Sequence, residues 1–414
     1  MSAVRWHGVA PGRLDVLGGV ADYSGSLVLQ TPIRATTHVT ITPLDGPRLE
    51  IASEQEGEVT LPLPAAMLTD PLVPIDEVRG WIEENHAPHW ARYSLGSFLL
   101  FCQAQKWRPP RGMRFGITSN VPVSMGVSSS AALEVATLRA LEEASGRRFR
   151  GTSLACLAQR AENELVGAPC GLMDQLASAH GTPGALLPIL CRPDVLDDPV
   201  PLPPAAVVVG WPSGVRHAVS GSPYVTARAA AFMGKKILES SLARPLTHVT
   251  ELSPTQLNDL AHTGLPPVLM GKDFLTRHGG IDDPLSKIDP EQRYPVAAAV
   301  RFPIMENFRA AQSVQLLRAV RSENRQETLR TVGELFYQSH SGYTAMGLGC
   351  PETDAMVQAV RDRGPDRGFY GARVSGGGSG GTVVVLLEIA ALPELEELAG
   401  SLAFGDRGPA RLIA

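Results

Sequence analysis

The stretch Gly126–Ala132, Gly-Val-Ser-Ser-Ser-Ala-Ala, constrains the fold of this chain more than any other. Upstream, Met113–Thr118 has the character of a strand, and Val121-Pro-Val-Ser-Met makes a turn. Downstream, Ala131–Glu143 is rich in Ala, Leu and Glu and holds neither Gly nor Pro, so it reads as a helix. Ser128, Ser129 and Ser130 stand at that helix's start. A helix start offers unpaired N–H groups and the positive end of the dipole, which suits an anion, phosphate above all. A lone Ser there is an N-cap and nothing more. Three serines behind a Pro-x-x-x-Gly turn fit phosphate better. No Gly-Lys-Ser/Thr follows, so the run is not a Walker A loop.

A length of 414 residues allows two domains and a sizeable core, and 44% apolar with 19% charged residues is ordinary for a globular protein. The net charge is −5 and there is no long basic block, which argues against nucleic acid as a partner. The N-terminus has no signal-peptide core, and the best apolar run, Thr382–Leu387, is strand-like and too short to span a membrane. Five scattered cysteines without a Cys-x-x-Cys pair point to free thiols in a reducing compartment. The expectation is a cytoplasmic protein without membrane or nucleic-acid partners, either monomeric or a weak homodimer.

Along the chain, residues 8–44 read as strands joined by tight turns, with Thr36–Thr42 the cleanest alternation. Residues 91–106 read as a helix led by Trp90 and Tyr93, and Thr152–Leu165 as another, broken by Gly167-Ala-Pro-Cys-Gly before Met173–Ala179 resumes. Ala185–Leu190 and Ala205–Gly210 look like buried strands. The Pro-rich, acidic Arg192–Pro204 between them suggests a domain junction, dividing the chain into 1–198 and 199–414. Tyr224–Ser240, Gln326–Ala345, Thr353–Arg361 and Pro393–Leu402 read as helices, Gly371–Ser375 and Thr382–Leu387 as strands, and 263–304 as an irregular excursion.

Four constellations carry chemistry. Pro11–Gly25 packs Arg13, Asp15, Asp22 and Tyr23 among glycines, which suits either turns or a ligand site. The Ser run is the second. In Ala161–Gln175, Glu162 and Asp174 stand either side of a Gly/Pro break. A carboxylate on a helix is usually solvated surface, but Asp174 lies between Met173 and Gln175 in an apolar stretch, where a carboxylate needs a partner, a metal or a role. Gly371–Thr382 is Gly-rich and runs into an apolar strand; it is either a hairpin or backbone drawn close to a ligand.

These four, in this order and over essentially the whole chain, resemble the GHMP kinase superfamily on its galactokinase-like branch. The Ser run resembles the family's phosphate loop, and Gly371–Thr382, with Gly376, Gly377 and Gly378, its third motif. Pro169-Cys-Gly-Leu-Met-Asp-Gln is similar to the galactokinase run around the catalytic aspartate, and Ser213–Tyr224 to a segment reading Val-Arg-His…Tyr. The first motif departs: galactokinases carry Gly-Glu-His-x-Asp-Tyr, and here Gly18-Gly-Val-Ala-Asp-Tyr stands. That form looks like the kinase domain of L-arabinokinases, and Ala231–Lys236 and Pro303–Arg309 agree.

The resemblance implies a two-domain GHMP kinase fold of mixed α/β and α+β character, with an N-terminal domain of ribosomal-protein-S5 type and a ferredoxin-like C-terminal domain. It implies ATP- and Mg2+-dependent phosphorylation of a sugar's anomeric hydroxyl, L-arabinose first, galactose or a broader pentose/hexose range as the alternative. A sugar- and ATP-binding sensor without catalysis is the rival of another class. Asp174 is implied as the base and Arg13 as its partner; Ser130 and Glu162 as Mg2+ ligands; Gly126, Val127, Ser128, Ser129 and Ser130 as the phosphate cradle. Trp90 and Tyr93 are implied near the adenine, and Asp22, Gly19, Val20, Gly171 and Tyr224 at the sugar. His217 reads as structural.

Overall fold

The computed structural model describes residues 4–64, 73–192, 194–215, 223–261, 264–402 and 411–414. The chain forms two interleaved compact units. The first comprises the chain up to Arg13, Pro32–Pro122 and Ser128–His180; the second comprises Leu14–Thr31, Val123–Val127 and everything from Gly181 on.

In the first unit, strands β1 (Trp6–Leu17), β2 (Leu27–Leu44), β3 (Arg48–Ser53), β4 (Gly57–Pro62) and β5 (Gly112–Ser119) accompany helices α1 (Ile75–Glu84), α2 (His89–Gln105), α3 (Ser129–Ser145), α4 (Ser153–Arg160) and α5 (Met173–His180). β3 lies antiparallel to β4, with Ile51 opposite Val59, and parallel to β5, with Ile51 opposite Phe115. β5 in turn lies antiparallel to β2, with Ile41 opposite Phe115. The parallel β3–β5 pair needs a long crossover, which α1 and α2 supply. Ile41, Ile51, Phe98, Phe101, Phe115, Leu138 and Leu141 share one core. α3 forms because Ala, Leu and Glu favour helix, and it stops at Gly146, whose left-handed φ of 68° suits Gly. The helix expected over Thr152–Leu165 is α4 followed directly by a π-helical turn, Ala161–Val166. Such turns gather at functional sites.

Both β1 and the 18-residue β2 begin or end in the other unit. In the second unit, Leu27–Gln30 of β2 pair antiparallel with β6 (Ala185–Cys191). The Pro-rich Arg192–Pro204 contributes short strands β7 (Asp194–Leu196) and β8 (Val200–Pro201) against β6. A separate sheet orders β12 (Phe369–Val374), β13 (Thr382–Glu388) and β9 (Ala206–Pro212), all antiparallel. Between β9 and β12 run α6 (Pro223–Leu242), α7 (Pro254–Ala261), α8 (Gly271–His278), α9 (Val296–Arg318), α10 (Arg325–Ala345) and α11 (Pro351–Arg363). The two-residue strands β10 (Leu269–Met270) and β11 (Arg293–Tyr294) pair with each other, and α12 (Leu392–Ser401) follows β13. Gly371 of β12 and Gly333 of α10 meet backbone to backbone, and a Cβ on either would strike the other segment's main chain.

The stretch 263–304 is more regular than expected. It holds α8 and the start of α9, whose Val296, Ala299, Val300, Phe302 and Ile304 are buried. Pro303 lies inside α9 instead of breaking it. The packing of these apolar neighbours outweighs the one hydrogen bond a helical Pro forgoes.

Candidate active site

Asp174 lies in the first turn of α5, after the Gly/Pro break has ended the π turn at Gly167. Its Oδ1 accepts both Arg13 Nε–H (2.9 Å) and Arg13 Nη2–H (2.8 Å), and its Oδ2 accepts the Ser128 hydroxyl (2.6 Å). Arg13 is almost fully buried, whereas the Asp174 carboxylate keeps 22% exposure. It is thus oriented by fixed donors yet reachable. Ser128 is the N-cap of α3 but makes no side-chain cap bond. Its left-handed backbone (φ 57°) frees the hydroxyl for Asp174. The serines therefore divide their work. Ser128 serves Asp174, Ser129 opens the helix, and Ser130 stands by the Glu162 carboxylate, where it favours the charged form. The first N–H groups of α3 lack acceptors within the helix, as at any helix start.

Glu162 sits in the π turn and is buried. Gln175 Nε2 donates to Glu162 Oε2 (2.7 Å) and to Glu134 Oε2 (3.2 Å), so two carboxylates share an amide donor. Burial, then the Asp174 charge, push the Glu162 carboxyl up to about 7. Burial, then the Glu162 charge, raise Glu134 well above the usual carboxylate range. Glu134 Oε1 and Gln175 Oε1 have no hydrogen-bond partner. Two crowded buried carboxylates beside a hydroxyl suit a hard divalent cation. Mg2+ fits best, because it takes one or two carboxylates and completes its shell with water and phosphate oxygens. No cluster of three His, Cys, Asp or Glu side chains able to enclose a metal occurs among the described residues.

Tyr93 lies beside these carboxylates. Burial and the Glu162 and Glu134 charges raise its hydroxyl pKa, and its ring stands edge-on to His89. Trp90 packs against the first unit's core, and Gly171 is half-buried ahead of α5.

In the second unit, Asp15 Oδ2 accepts Arg373 Nη1–H (2.9 Å) and the Gly376 N–H (3.2 Å), while its Oδ1 accepts the N–H of Gly19 (2.9 Å) and Gln30 Nε2–H (2.7 Å). One carboxylate thus clasps the first motif to the third. Glu306 Oε1 accepts Gly18 N–H (2.9 Å) and the Ser339 hydroxyl (2.7 Å), and Arg309 holds its other oxygen. This places the Pro303–Arg309 stretch behind the first motif. The Tyr343 hydroxyl accepts Val20 N–H (3.1 Å) and donates to the Gly376 carbonyl (2.6 Å). A Cβ at Gly19, where φ is +51°, would land on that hydroxyl. Asp22 is buried and accepts the Tyr23 N–H, and the Tyr23 ring meets Tyr224 edge-on at 6.2 Å. Arg228, paired with Asp283, lies over Tyr23. Gly376 and Gly378 both have positive φ, as does Gly126, in a loop anchored by the Thr382 hydroxyl on the Met125 carbonyl. Gly377 lies between the first two, and Val127 follows Gly126 as a buried residue. His217 lies outside the described residues.

Of the expected residues, the first unit thus gathers Arg13, Ser128, Ser130, Glu162 and Asp174, and the second gathers Gly19, Val20 and Gly376 around Tyr343. Glu134, Gln175, Asp15, Arg373, Glu306 and Tyr343 were not singled out for these roles by sequence reasoning. The one available signal was Asp15 among the motif glycines.

The GHMP kinases N terminal domain matches residues 93–182, and the GHMP kinases C terminal domain matches 316–399. An L-arabinokinase of Arabidopsis thaliana is 34% identical over 439 aligned residues, covering 91% of this chain. The chain spans 42% of that relative's length. A galactokinase of Chloroflexus aggregans is 31% identical over 92% of this chain and 83% of its own, and the galactokinase of Bos taurus 30% identical over 93% and 84%. Lactococcus lactis galactokinase complexed with galactose shares the fold, with a TM-score of 0.77, 21% identity and coverage of 99% of this chain and 92% of that one. The Methanococcus jannaschii mevalonate kinase shares it with a TM-score of 0.62 at 13% identity, over 99% and 97%. The chain belongs to the GHMP kinase family and has its two-domain fold. Within the family it is a sugar kinase, a phosphotransferase homologous to galactokinases and to an L-arabinokinase. No helix among the described residues is long and apolar enough to cross a membrane.

Proposed function

We propose that the chain is an ATP- and Mg2+-dependent sugar 1-kinase whose first substrate is L-arabinose, with residues 1–198 and 199–414 as the two family halves. The observation that carries the chemistry is the Asp174 carboxylate, oriented by Arg13 and Ser128 yet still reachable. Asp174 takes the proton of the anomeric hydroxyl as that oxygen attacks the γ-phosphorus of ATP. The bond to the leaving ADP breaks, and a sugar 1-phosphate results. Arg13 orients the base and offsets charge on the transferred group. The Gly126–Ser130 backbone receives phosphate at the α3 start, and Gly376–Gly378 form the third motif's loop. Ser130 and Glu162 hold Mg2+, which when bound neutralises phosphate charge. Trp90 and Tyr93 are assigned to the nucleotide side, and Asp22, Gly19, Val20, Gly171 and Tyr224 to the sugar.

The preference for L-arabinose rests on Gly19. L-Arabinopyranose has galactose's ring hydroxyl pattern without the C6 hydroxymethyl group. A carboxylate at residue 19 could accept from a C6 hydroxyl, but Gly19 has no side chain, and its Cβ direction is filled by Tyr343. A hydroxymethyl group there would lose water without gaining a partner, at a cost of about 1–3 kcal/mol. The second reading, a galactokinase, is supported by galactokinase relatives matched over most of their length.

The test is ADP release over a panel of monosaccharides. L-Arabinose should exceed galactose by roughly 10–200-fold in kcat/KM. Equal or better use of galactose would overturn the arabinokinase reading and leave the galactokinase one. Sugar and ATP binding without any turnover would leave only the sensor.

A further inference from the structure

We propose that Gln175 is a positioning residue that fixes the Glu162 carboxylate for cation binding and ties it to the helix carrying Asp174. The inference rests on the Mg2+ site proposed above.

Gln175 is fully buried, one residue after Asp174 in the first turn of α5. A primary amide nitrogen has two hydrogens to donate. Both face acid groups here, at 2.7 Å from Glu162 and 3.2 Å from Glu134. The Cys170 thiol also approaches Glu162, at 3.5 Å. The side-chain oxygen of Gln175 meanwhile has no partner, although it is buried. A buried Gln that served packing alone would place both ends on partners, since an unmet polar atom is costly. This one has its donor end on the carboxylates and its acceptor end unmet.

A neutral donor is the chemically apt choice. Lys or Arg in its place would neutralise Glu162 and compete with the cation for it. An amide orients the carboxylate without adding charge, so the site keeps its attraction for a divalent ion. Glu134 takes the second hydrogen and so blocks rotation of the amide away from Glu162. Because Asp174 and Gln175 are consecutive on α5, the spacing from the proposed base to the proposed cation carboxylate is set by a single residue step of the helix. That spacing matters when one group takes a proton and the other holds the ion on the phosphate being transferred.

The test uses Mn2+ as the probe, titrated by electron paramagnetic resonance with a non-hydrolysable ATP analogue present. The parent chain, Gln175→Met, Glu162→Gln and the double variant are compared. Met keeps length and flexibility but has no N–H. Gln175→Met should weaken Mn2+ binding roughly tenfold or more, as loss of a partner behind a metal ligand does. It should lower kcat while leaving the sugar KM within about twofold. In the Glu162→Gln background it should add little, because its effect passes through Glu162. Should the Met variant fail to fold, Gln175→Asn keeps the amide but falls one methylene short, and the same weakening is expected. Unchanged Mn2+ affinity in a folded Gln175 variant, with Glu162→Gln weakened, overturns the positioning role alone. Unchanged affinity in Glu162→Gln overturns the cation site and this inference with it. A loss as large in the double background as in the parent also overturns it.

Discussion

Asp15→Asn tests the clasp between the first and third motifs. Asp15 and Arg373 are both fully buried, and their side chains meet at 2.9 Å. Arg373 Nε and Nη2 have no hydrogen-bond partner, so Asp15 is the guanidinium's principal polar support, beside the Tyr343 ring at 5.1 Å. The substitution preserves shape but removes the countercharge. It also leaves one oxygen where two served Gly19, Gln30, Gly376 and Arg373. Breaking a buried pair from one side costs about 3–5 kcal/mol, because the surviving charge remains uncompensated. At roughly 2–4 °C per kcal/mol for a domain of this size, the melting temperature should fall by about 6–20 °C. Removing the other charge as well should recover part of that loss, so the double variant Asp15→Asn, Arg373→Met should melt above the single Asn variant. Differential scanning calorimetry on the three proteins is the assay. A fall under about 2 °C, or strictly additive losses in the double variant, would refute the argument.

Three further outcomes follow from the first unit. Asp174→Asn should lose about 10²–10⁴ in kcat, the usual loss for a positioned base, with sugar binding by calorimetry largely kept; a near-full kcat would count against the base. Ser130→Ala and Glu162→Gln should each raise the Mg2+ concentration needed for half-maximal rate, and the pair should be less than additive because both act on one ion. Additive losses with unchanged Mg2+ titrations would argue against a shared site. Since Glu162 is pushed up to about 7, protons compete with Mg2+ for it as pH falls through that value. The Mg2+ requirement should rise roughly tenfold from about pH 8 to about pH 6, and Glu162→Gln should flatten the dependence. An equal requirement at both pH values in the parent protein would contradict this.

What the sequence makes legible is local. The strand, turn and helix around Gly126–Ala132 follow from turn residues and helix formers, and the structure has β5, a turn and α3 there. Asp174 stands out because a carboxylate among apolar residues demands a partner, and it has two. Glu134 carries no such mark: Glu in an Ala- and Leu-rich helix reads the same whether it faces solvent or a buried amide. Gln175 looks like an ordinary helical residue until Glu162 is brought to it by the π turn, an irregularity no periodicity announces. Asp15 and Arg373 are 358 positions apart, and only tertiary structure pairs them. Pro303 looks like punctuation, and only the burial of its neighbours explains a helix running through it.

Gly19 and Tyr343 show how a departure from a family motif acquires meaning from a distant residue. In sequence, Gly19-Val20 in place of Glu-His is a loss of two polar side chains. In the structure it makes room for the Tyr343 hydroxyl, which takes the Val20 N–H and bonds the Gly376 carbonyl. Any side chain at residue 19 would collide with that oxygen, and the left-handed backbone there further favours Gly. Restoring Glu at 19 and His at 20 would therefore not convert the site. It would press a carboxylate onto a buried hydroxyl and break the Tyr343 bridge between the first and third motifs. The two positions constitute one change. On the proposed reading, a smaller sugar goes with a wall whose polar groups satisfy one another and leave no acceptor for an additional hydroxyl. On that same reading specificity would belong to the Gly19–Tyr343 pair, and an attempt to alter it would have to begin at Tyr343.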